Sequence, residues 1–208
     1  MKRIVAGFLF SITVLVFTTA LGLAVIHISG FPYVIDIGLL DICEKAHLPR
    51  EEVLSNYNAV MEYLSPFSNK EFSLATFRYT PKARLHFVEC KALFNEVYLL
   101  GFASGIILII LMLKRAVSRK TLQLSGTITL AIPAVVGIAL LTNFDRTFTF
   151  FHSIFFLASS WVFDPRTDRI ISILPSEFFM HCAIIMTVFW IAGAALQLIF
   201  GYSMRKGR

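Results

Sequence analysis

Two histidines in this 208-residue chain stand beside groups that could assist proton transfer. His86 is followed by Glu89 and Cys90, which would share its face on a helix. A carboxylate that accepts the proton of one imidazole nitrogen fixes the tautomer and makes the other nitrogen a better base. The spacing is equally compatible with a hydrogen bond between His86 and Glu89 that lies on a helix surface and has no catalytic role.

His152 is the second candidate, and it lies in a run of phenylalanines, FDRTFTFFHSIFF, at residues 144–156. On a helix Phe148, Phe155 and Phe156 are three or four positions from His152 and share its face. The pattern predicts an imidazole that stands among aromatic rings at the outer membrane boundary. The competing interpretation is a buried histidine satisfied by a backbone carbonyl.

Other chemistry is poorly supported. His86, Glu89, Cys90 and His152 are possible metal ligands by type but lack a tight zinc spacing, so we predict no metal and no cofactor. Serines flank His152, but no GxSxG elbow exists and a serine hydrolase triad is not expected. The remaining histidines are interpreted as interfacial or solvent-facing residues without catalytic duty: His27, His47 and His181.

The elements that must position these residues belong to a membrane protein, because 57% of the residues are apolar and the mean hydropathy is +0.74. Four apolar windows approach the ~20 residues needed to cross a bilayer. We therefore predict an all-α membrane protein with four transmembrane helices, at residues 1–28, 97–113, 122–142 and 180–202.

Charge predicts the orientation. The short loop at 114–121, the tail at 203–208 and the amino terminus carry basic residues without acids, which places both ends in the cytoplasm by the positive-inside rule. This bias explains most of the +6 net charge, so no nucleic-acid partner is expected. The acidic residues lie in or at the edge of residues 29–96 and 143–179, and any active site should face the extracytoplasmic side.

Each outer segment has a predicted architecture. Residues 29–96 should form a small extracytoplasmic cap, with a helix within LPREEVLSNYNAVMEYLSPF and one or two short strands in EFSLATFRYT. The run ARLHFVECKALFNEVYLL should be a helix that leads into the second span. Residues 143–179 should form an interfacial helix followed by a turn. Whether Cys43 and Cys90 pair is left open, as is the oligomeric state.

Two segments carry a resemblance to a known family: RLHFVECKALF at 84–94 and FDRTFTFFHSIFFLASSWVFDPRTDRIISILPSEFF at 144–179. In a four-span chain of this length they resemble the lipoprotein intramolecular transacylases of Gram-positive bacteria. Many relatives read His-Met-x-Asp-Val-Lys where this chain has HFVECK. The aspartate is thus a glutamate here and the valine is a cysteine.

The resemblance implies a specific reaction on diacylglyceryl-modified lipoproteins in the bacterial cell membrane. An acyl chain would move from the second glyceryl carbon to the α-amino group of the lipidated cysteine, giving the lyso-form. The catalytic pair would be His86 and His152. Our hypothesis makes His86, oriented by Glu89, the base and His152 the oxyanion donor, or the reverse. Candidate contacts to the lipoprotein and to membrane lipid are Phe148, Phe155, Phe156 and Arg146.

Two alternatives remain open from the sequence. A lipase or thioester-forming acyltransferase would use Cys90 as the nucleophile and a histidine as the base. A lipid-binding or assembly protein would hold a lipoprotein without changing it.

Overall fold

The computed structural model describes residues 2–66, 68–156 and 160–204. These residues form helices and one 3-10 turn, and no β-strand occurs within those ranges. The helices are α1 (Lys2–Ser29), α2 (Phe31–Leu39), α3 (Ile42–Ala46), α4 (Arg50–Leu64), α5 (Pro81–Leu113), α6 (Arg119–Thr142), α7 (Phe144–Phe155) and α8 (Ser176–Ser203), and the 3-10 turn is Arg169–Ser172.

Four of these helices are long and apolar enough to cross a membrane: α1, α5, α6 and α8. Their number confirms the predicted fold class of an all-helical, four-span membrane protein. The helices predicted around residues 50–64, 83–100 and 144–156 are also present, as α4, the first part of α5 and α7.

The chain divides into two compact units. The first, which we call the helical unit, comprises Met1–Val25, Val97–Thr142 and Ala183–Arg208. The second, which we call the site unit, comprises Ile26–Glu96 and Asn143–Cys182. Both candidate histidines belong to the site unit.

The helical unit is held by close helix approach and by buried hydrogen bonds. A Cβ on Gly101 of α5 would lie 2.1 Å from the Cβ of Ala20 of α1, so only glycine permits this contact. Ser125 of α6 hydrogen-bonds to the Gln197 side chain of α8, and Gln197 donates to Thr129 over 3.0 Å. These polar side chains satisfy one another where neither water nor lipid could do so.

The core of the site unit is aromatic. Tyr33 of α2 stacks on Tyr57 of α4 with ring centroids 3.7 Å apart, and Phe178 packs edge-on against both. The Tyr33 hydroxyl donates to the carbonyl of Ile173 over 2.7 Å. Residues 26–96 and 143–182 therefore contribute to one shared core.

The short strands predicted in EFSLATFRYT are wrong. Residues 71–80 are irregular, although Phe72 and Phe77 are buried in the core. A strand needs a partner strand for its backbone groups, and here the Asn56 side chain of α4 accepts from the amides of Thr76 (3.1 Å) and Phe77 (3.2 Å). The alternating pattern thus reflects a half-buried segment pinned to a helix.

A buried carboxylate fixes the start of α5. Asp168 accepts from the backbone amide of Thr80 over 2.7 Å and from the Thr80 hydroxyl over 3.1 Å. Negative charge is favourable at a helix amino terminus. This contact joins the segment after α7 to the helix that carries His86.

Candidate active site

His152 projects from α7 with a defined tautomer. Its side chain is buried, and Nδ1 lies 2.8 Å from the carbonyl oxygen of Phe148, one helical turn earlier. A carbonyl only accepts, so Nδ1 carries the hydrogen and donates it. In the neutral ring Nε2 is therefore unprotonated and available as a base. Burial lowers the pKa of His152 from its ordinary 6.5, and the Phe148 carbonyl opposes part of that change.

Four aromatic rings surround His152. Their centroids lie 4.0 Å (Phe148), 4.8 Å (Trp161), 5.1 Å (Phe156) and 5.5 Å (Phe151) from the imidazole centroid. Phe148 and Phe156 thus contact the histidine as the helical spacing predicted. The contact between Trp161 and His152 was not predicted from the sequence, because the tryptophan lies outside α7.

His86 faces His152 from α5, with ring centroids 5.9 Å apart. The structure thus brings the two candidate histidines together. His86 is buried, its Nε2 lies 3.5 Å from the Cys90 sulfur, and its Nδ1 has no hydrogen-bond partner among the described residues. Phe156 (4.6 Å) and Phe163 (5.5 Å) enclose the ring.

The predicted hydrogen bond between Glu89 and His86 is absent from the described part of the chain. Glu89 Oε2 instead accepts from the hydroxyl of Ser160 over 2.7 Å, and Ser160 is buried. Cys90, four positions after His86, occupies the place at Nε2 that the carboxylate was expected to take. Glu89 consequently links α5 to Ser160, the residue before Trp161.

The other predicted contact residues lie on different faces of α7. Phe155 is half exposed and packs on Phe151 with centroids 4.8 Å apart, and no ring contact between Phe155 and His152 occurs among the described residues. Phe155 is the last residue of α7. Arg146 and Phe150 line an open depression of about 410 Å³ on the α7 surface.

The interpretation of the remaining histidines needs correction. His27 is buried rather than solvent-facing, and its Nε2 lies 2.7 Å from the carbonyl of Met61, one of the last carbonyls of α4. His181 is bonded through Nδ1 to the buried carboxylate of Asp36 over 2.8 Å. Asp36, 145 positions from its partner, gave no signal in the sequence. His47 remains exposed at the end of α3.

Neither a disulfide nor a metal-binding cluster occurs among the described residues. Cys43, Cys90 and Cys182 are all free thiols. The described ranges contain no cluster of three or more histidine, cysteine, aspartate or glutamate side chains arranged to hold a metal ion. The four ligands considered from the sequence therefore do not form such a group.

Comparison with known families identifies the architecture around this histidine pair. Residues 5–179 match the family model described as lipoprotein intramolecular transacylase Lit. The chain belongs to the Lit family. No curated protein sequence matches it.

Solved Lit structures support the assignment. The membrane-integral Lit of Bacillus cereus aligns with a TM-score of 0.86 and 28% identity, covering 99% of this chain and 94% of that one. Two histidine variants of the same protein, one changed to arginine and one to alanine, align with TM-scores of 0.82 and 27% identity. Both alignments cover 99% of this chain, and they cover 92% of the arginine variant and 94% of the alanine variant.

Membership in the Lit family confirms two predictions from the sequence. The chain is a multi-pass membrane protein, and it is an acyltransferase of the lipoprotein intramolecular transacylase type. The Lit reaction transfers an acyl group within one lipoprotein molecule, so a lipoprotein is its substrate.

Proposed function

We propose that this Lit enzyme uses His86 and His152 to move an acyl chain from the second glyceryl carbon of an S-diacylglyceryl cysteine to the α-amino group of that cysteine. The observation that supports this most strongly is the pair of buried imidazoles 5.9 Å apart, in one of which the Phe148 carbonyl holds the hydrogen on Nδ1 and leaves Nε2 unprotonated in the neutral ring. Donor and acceptor are tethered on one cysteine, which supplies the proximity. The enzyme has only protons and charge to manage.

His152 is the base in this proposal. An α-amine has a pKa of about 7.7–8.0, so proton transfer to an imidazole is within reach. The nitrogen attacks the ester carbonyl carbon through a medium-sized ring while its proton passes to Nε2 of His152. When the tetrahedral intermediate collapses, the carbon–oxygen bond to the glyceryl carbon breaks. The departing oxygen then takes that proton, leaving an amide and a free hydroxyl.

His86 is the oxyanion donor. A Cys90 thiol that donates to Nε2 leaves the hydrogen of the neutral His86 ring on Nδ1, which has no other described partner. Two like charges this close disfavour each other, so His86 stays neutral while His152 carries the transferred proton. This geometry favours His152 as the base and His86 as the oxyanion donor over the opposite assignment, in which Glu89 orients His86 as the base.

The location follows from charge and composition. The basic loop and tails argue for cytoplasmic ends, which puts residues 29–96 and 143–179 on the extracytoplasmic side. Membrane lipid and the acyl chains of the substrate would contact the exposed aromatic side chains of α7, such as Phe155. Arg146, in the surface depression, would contact the peptide part of the lipoprotein.

The test measures the amino-terminal lipopeptide of one lipoprotein by mass and fragmentation. The wild type should keep the total lipid mass and carry one acyl chain on nitrogen, whereas His152→Gln and His86→Ala should leave the substrate unchanged. Loss of a base costs about 10²–10⁴-fold and loss of an oxyanion donor about 10²–10³-fold. His86→Asn, which keeps a donor, should retain more activity than His86→Ala.

Full activity in both His152→Gln and His86→Ala would refute the proposal. Loss of one acyl chain from the substrate would indicate a lipase, and binding without a mass change would indicate a carrier. A separate variant tests Cys90 as a nucleophile, because its sulfur lies 3.5 Å from Nε2 of His86. Cys90→Ala should remain active, and an acyl thioester on Cys90 would instead establish covalent catalysis.

A further inference from the structure

The environment of His152 raises an electrostatic problem. The proposed reaction leaves a proton on this imidazole, and a buried cation away from water is costly. No carboxylate hydrogen-bonds to His152 among the described residues; its described polar contact is the Phe148 carbonyl. Some other feature of the site must stabilise the charged ring.

Aromatic rings are the groups that lie close enough. Phe148, Trp161 and Phe156 have centroids 4.0, 4.8 and 5.1 Å from the imidazole, each within the ~6 Å over which a ring face attracts a cation. Tryptophan has the strongest such attraction of the natural side chains. Their planes are tilted by 33–42° from the imidazole plane, so each presents part of its face to the charged ring.

We propose that Phe148, Phe156 and Trp161 form an aromatic cage that stabilises the His152 imidazolium by cation–π attraction while it holds the proton of the substrate amine. The inference rests on the proposed function, because it assigns His152 the role of base. It gives these three side chains an electrostatic role in addition to any contact with acyl chains. They act on the reaction through His152 and are positioning residues for its charge.

The polar contacts around the cage support this assignment. Ser160, next to Trp161, is buried and bonded to Glu89 of α5, which fixes the chain immediately before the indole. The titratable group in described ring contact with His152 is His86, and the Cys90 thiol contacts His86 in turn. Glu89 accepts the hydrogen of the Ser160 hydroxyl with one carboxylate oxygen.

The chain allows the charge on His152 to be read without measuring activity. It contains two tryptophans, Trp161 and Trp190, so Trp190→Phe leaves Trp161 as the single indole. A protonated imidazole in contact with an indole quenches its fluorescence. In the single-tryptophan protein in detergent, Trp161 emission should fall as the pH is lowered through the pKa of His152. His152→Gln in the same background should abolish this titration.

The cage is then tested by removing one ring at a time in that background. Phe148→Leu keeps an apolar side chain but loses the ring, and the titration midpoint should fall by about 0.4–1.5 pH units. Phe156→Leu should act in the same direction. Phe179→Leu is the matched control, because Phe179 packs on Phe148 (5.5 Å) and makes no described ring contact with either histidine. Its midpoint should stay within about 0.2 units of the parent.

The outcomes separate this inference from the proposed function. Two results would overturn the cage. One is a single-tryptophan parent whose Trp161 emission shows no titration that depends on His152. The other is a titration midpoint in Phe148→Leu and Phe156→Leu equal to that of Phe179→Leu. In lipopeptide assays with otherwise wild-type protein, the acid limb of activity should shift with the same variants, and Trp161→Phe should shift it less than Trp161→Leu. If His152→Gln is inactive but Trp161→Phe and Trp161→Leu behave alike, only the cage fails. If His152→Gln is active, the proposed function fails.

Discussion

Replacing Asp168 with alanine is expected to destabilise the site unit markedly. This carboxylate is buried, with 2% of the residue exposed, and it accepts from the amide and hydroxyl of Thr80 and from the hydroxyl of Thr167. It also lies at the positive end of α5. Alanine would leave the Thr80 amide without its carboxylate partner and remove a favourable charge from the helix terminus.

The magnitude follows from these contacts. A hydrogen bond to a charged group contributes about 1.5–3 kcal/mol, and a charge at a helix terminus adds about 0.3–1 kcal/mol. Together they suggest a loss of about 3 kcal/mol in the free energy of unfolding for Asp168→Ala. For a chain of this length that corresponds to a fall in Tm of roughly 6–12 °C. Asp168→Asn keeps one accepting oxygen and should lose less.

Thermal unfolding of the purified protein in detergent measures this directly. Asp164→Ala is the matched control, because Asp164 lies in the same turn but pairs with Arg166 at the surface, where both side chains are largely exposed. Exposed pairs contribute little to stability, so the control should melt close to wild type. Equal Tm values for Asp168→Ala, Asp164→Ala and the wild type would refute the idea that the buried carboxylate anchors α5.

Two further substitution pairs test the packing of each unit. Asn56→Ala should lower Tm by roughly 4–12 °C, because it removes the oxygen that accepts from the amides of residues 76 and 77 and also removes a donor. Asn58 is exposed on the same helix, so Asn58→Ala should leave Tm unchanged. Similar Tm values for the two variants would contradict the attachment of residues 71–80 to α4. Gly101→Ala should weaken the contact between α5 and Ala20 of α1 and so lower the melting temperature in detergent. Gly137→Ala is the control, because a Cβ at Gly137 would have no atom within 4 Å. An unchanged melting temperature in both variants would show that α1 and α5 can move apart without cost.

Short-range contacts of the site were predictable because helix geometry fixes them. Spacing placed Phe148 beside His152 and Cys90 beside His86, and both contacts are present. Glu89 has the same kind of spacing, yet its partner Ser160 lies 71 positions away. A helix determines which face a side chain shares and leaves open which neighbour it chooses.

Long-range features escaped prediction for the same reason. The partial alternation in residues 71–80 predicted short strands and could not reveal that the Asn56 side chain would take the place of a partner strand. The Asp36–His181 pair joins residues 145 positions apart, and its members carry no local pattern. The Asn56 contacts join α4 to the irregular segment that follows it, and the Asp36–His181 pair joins α2 to α8.

The shared core of the site unit has a consequence for biosynthesis. Tyr33 and Tyr57 are covered by Phe178, and His86 meets His152, so the first half of the site has no complete core until the last part of the chain has been made. A ribosome-bound chain that stops after the third span carries apolar rings without partners and only one of its two imidazoles. The histidine pair can therefore form only after α7 has been made, and the aromatic core closes only when Phe178, at the start of α8, follows.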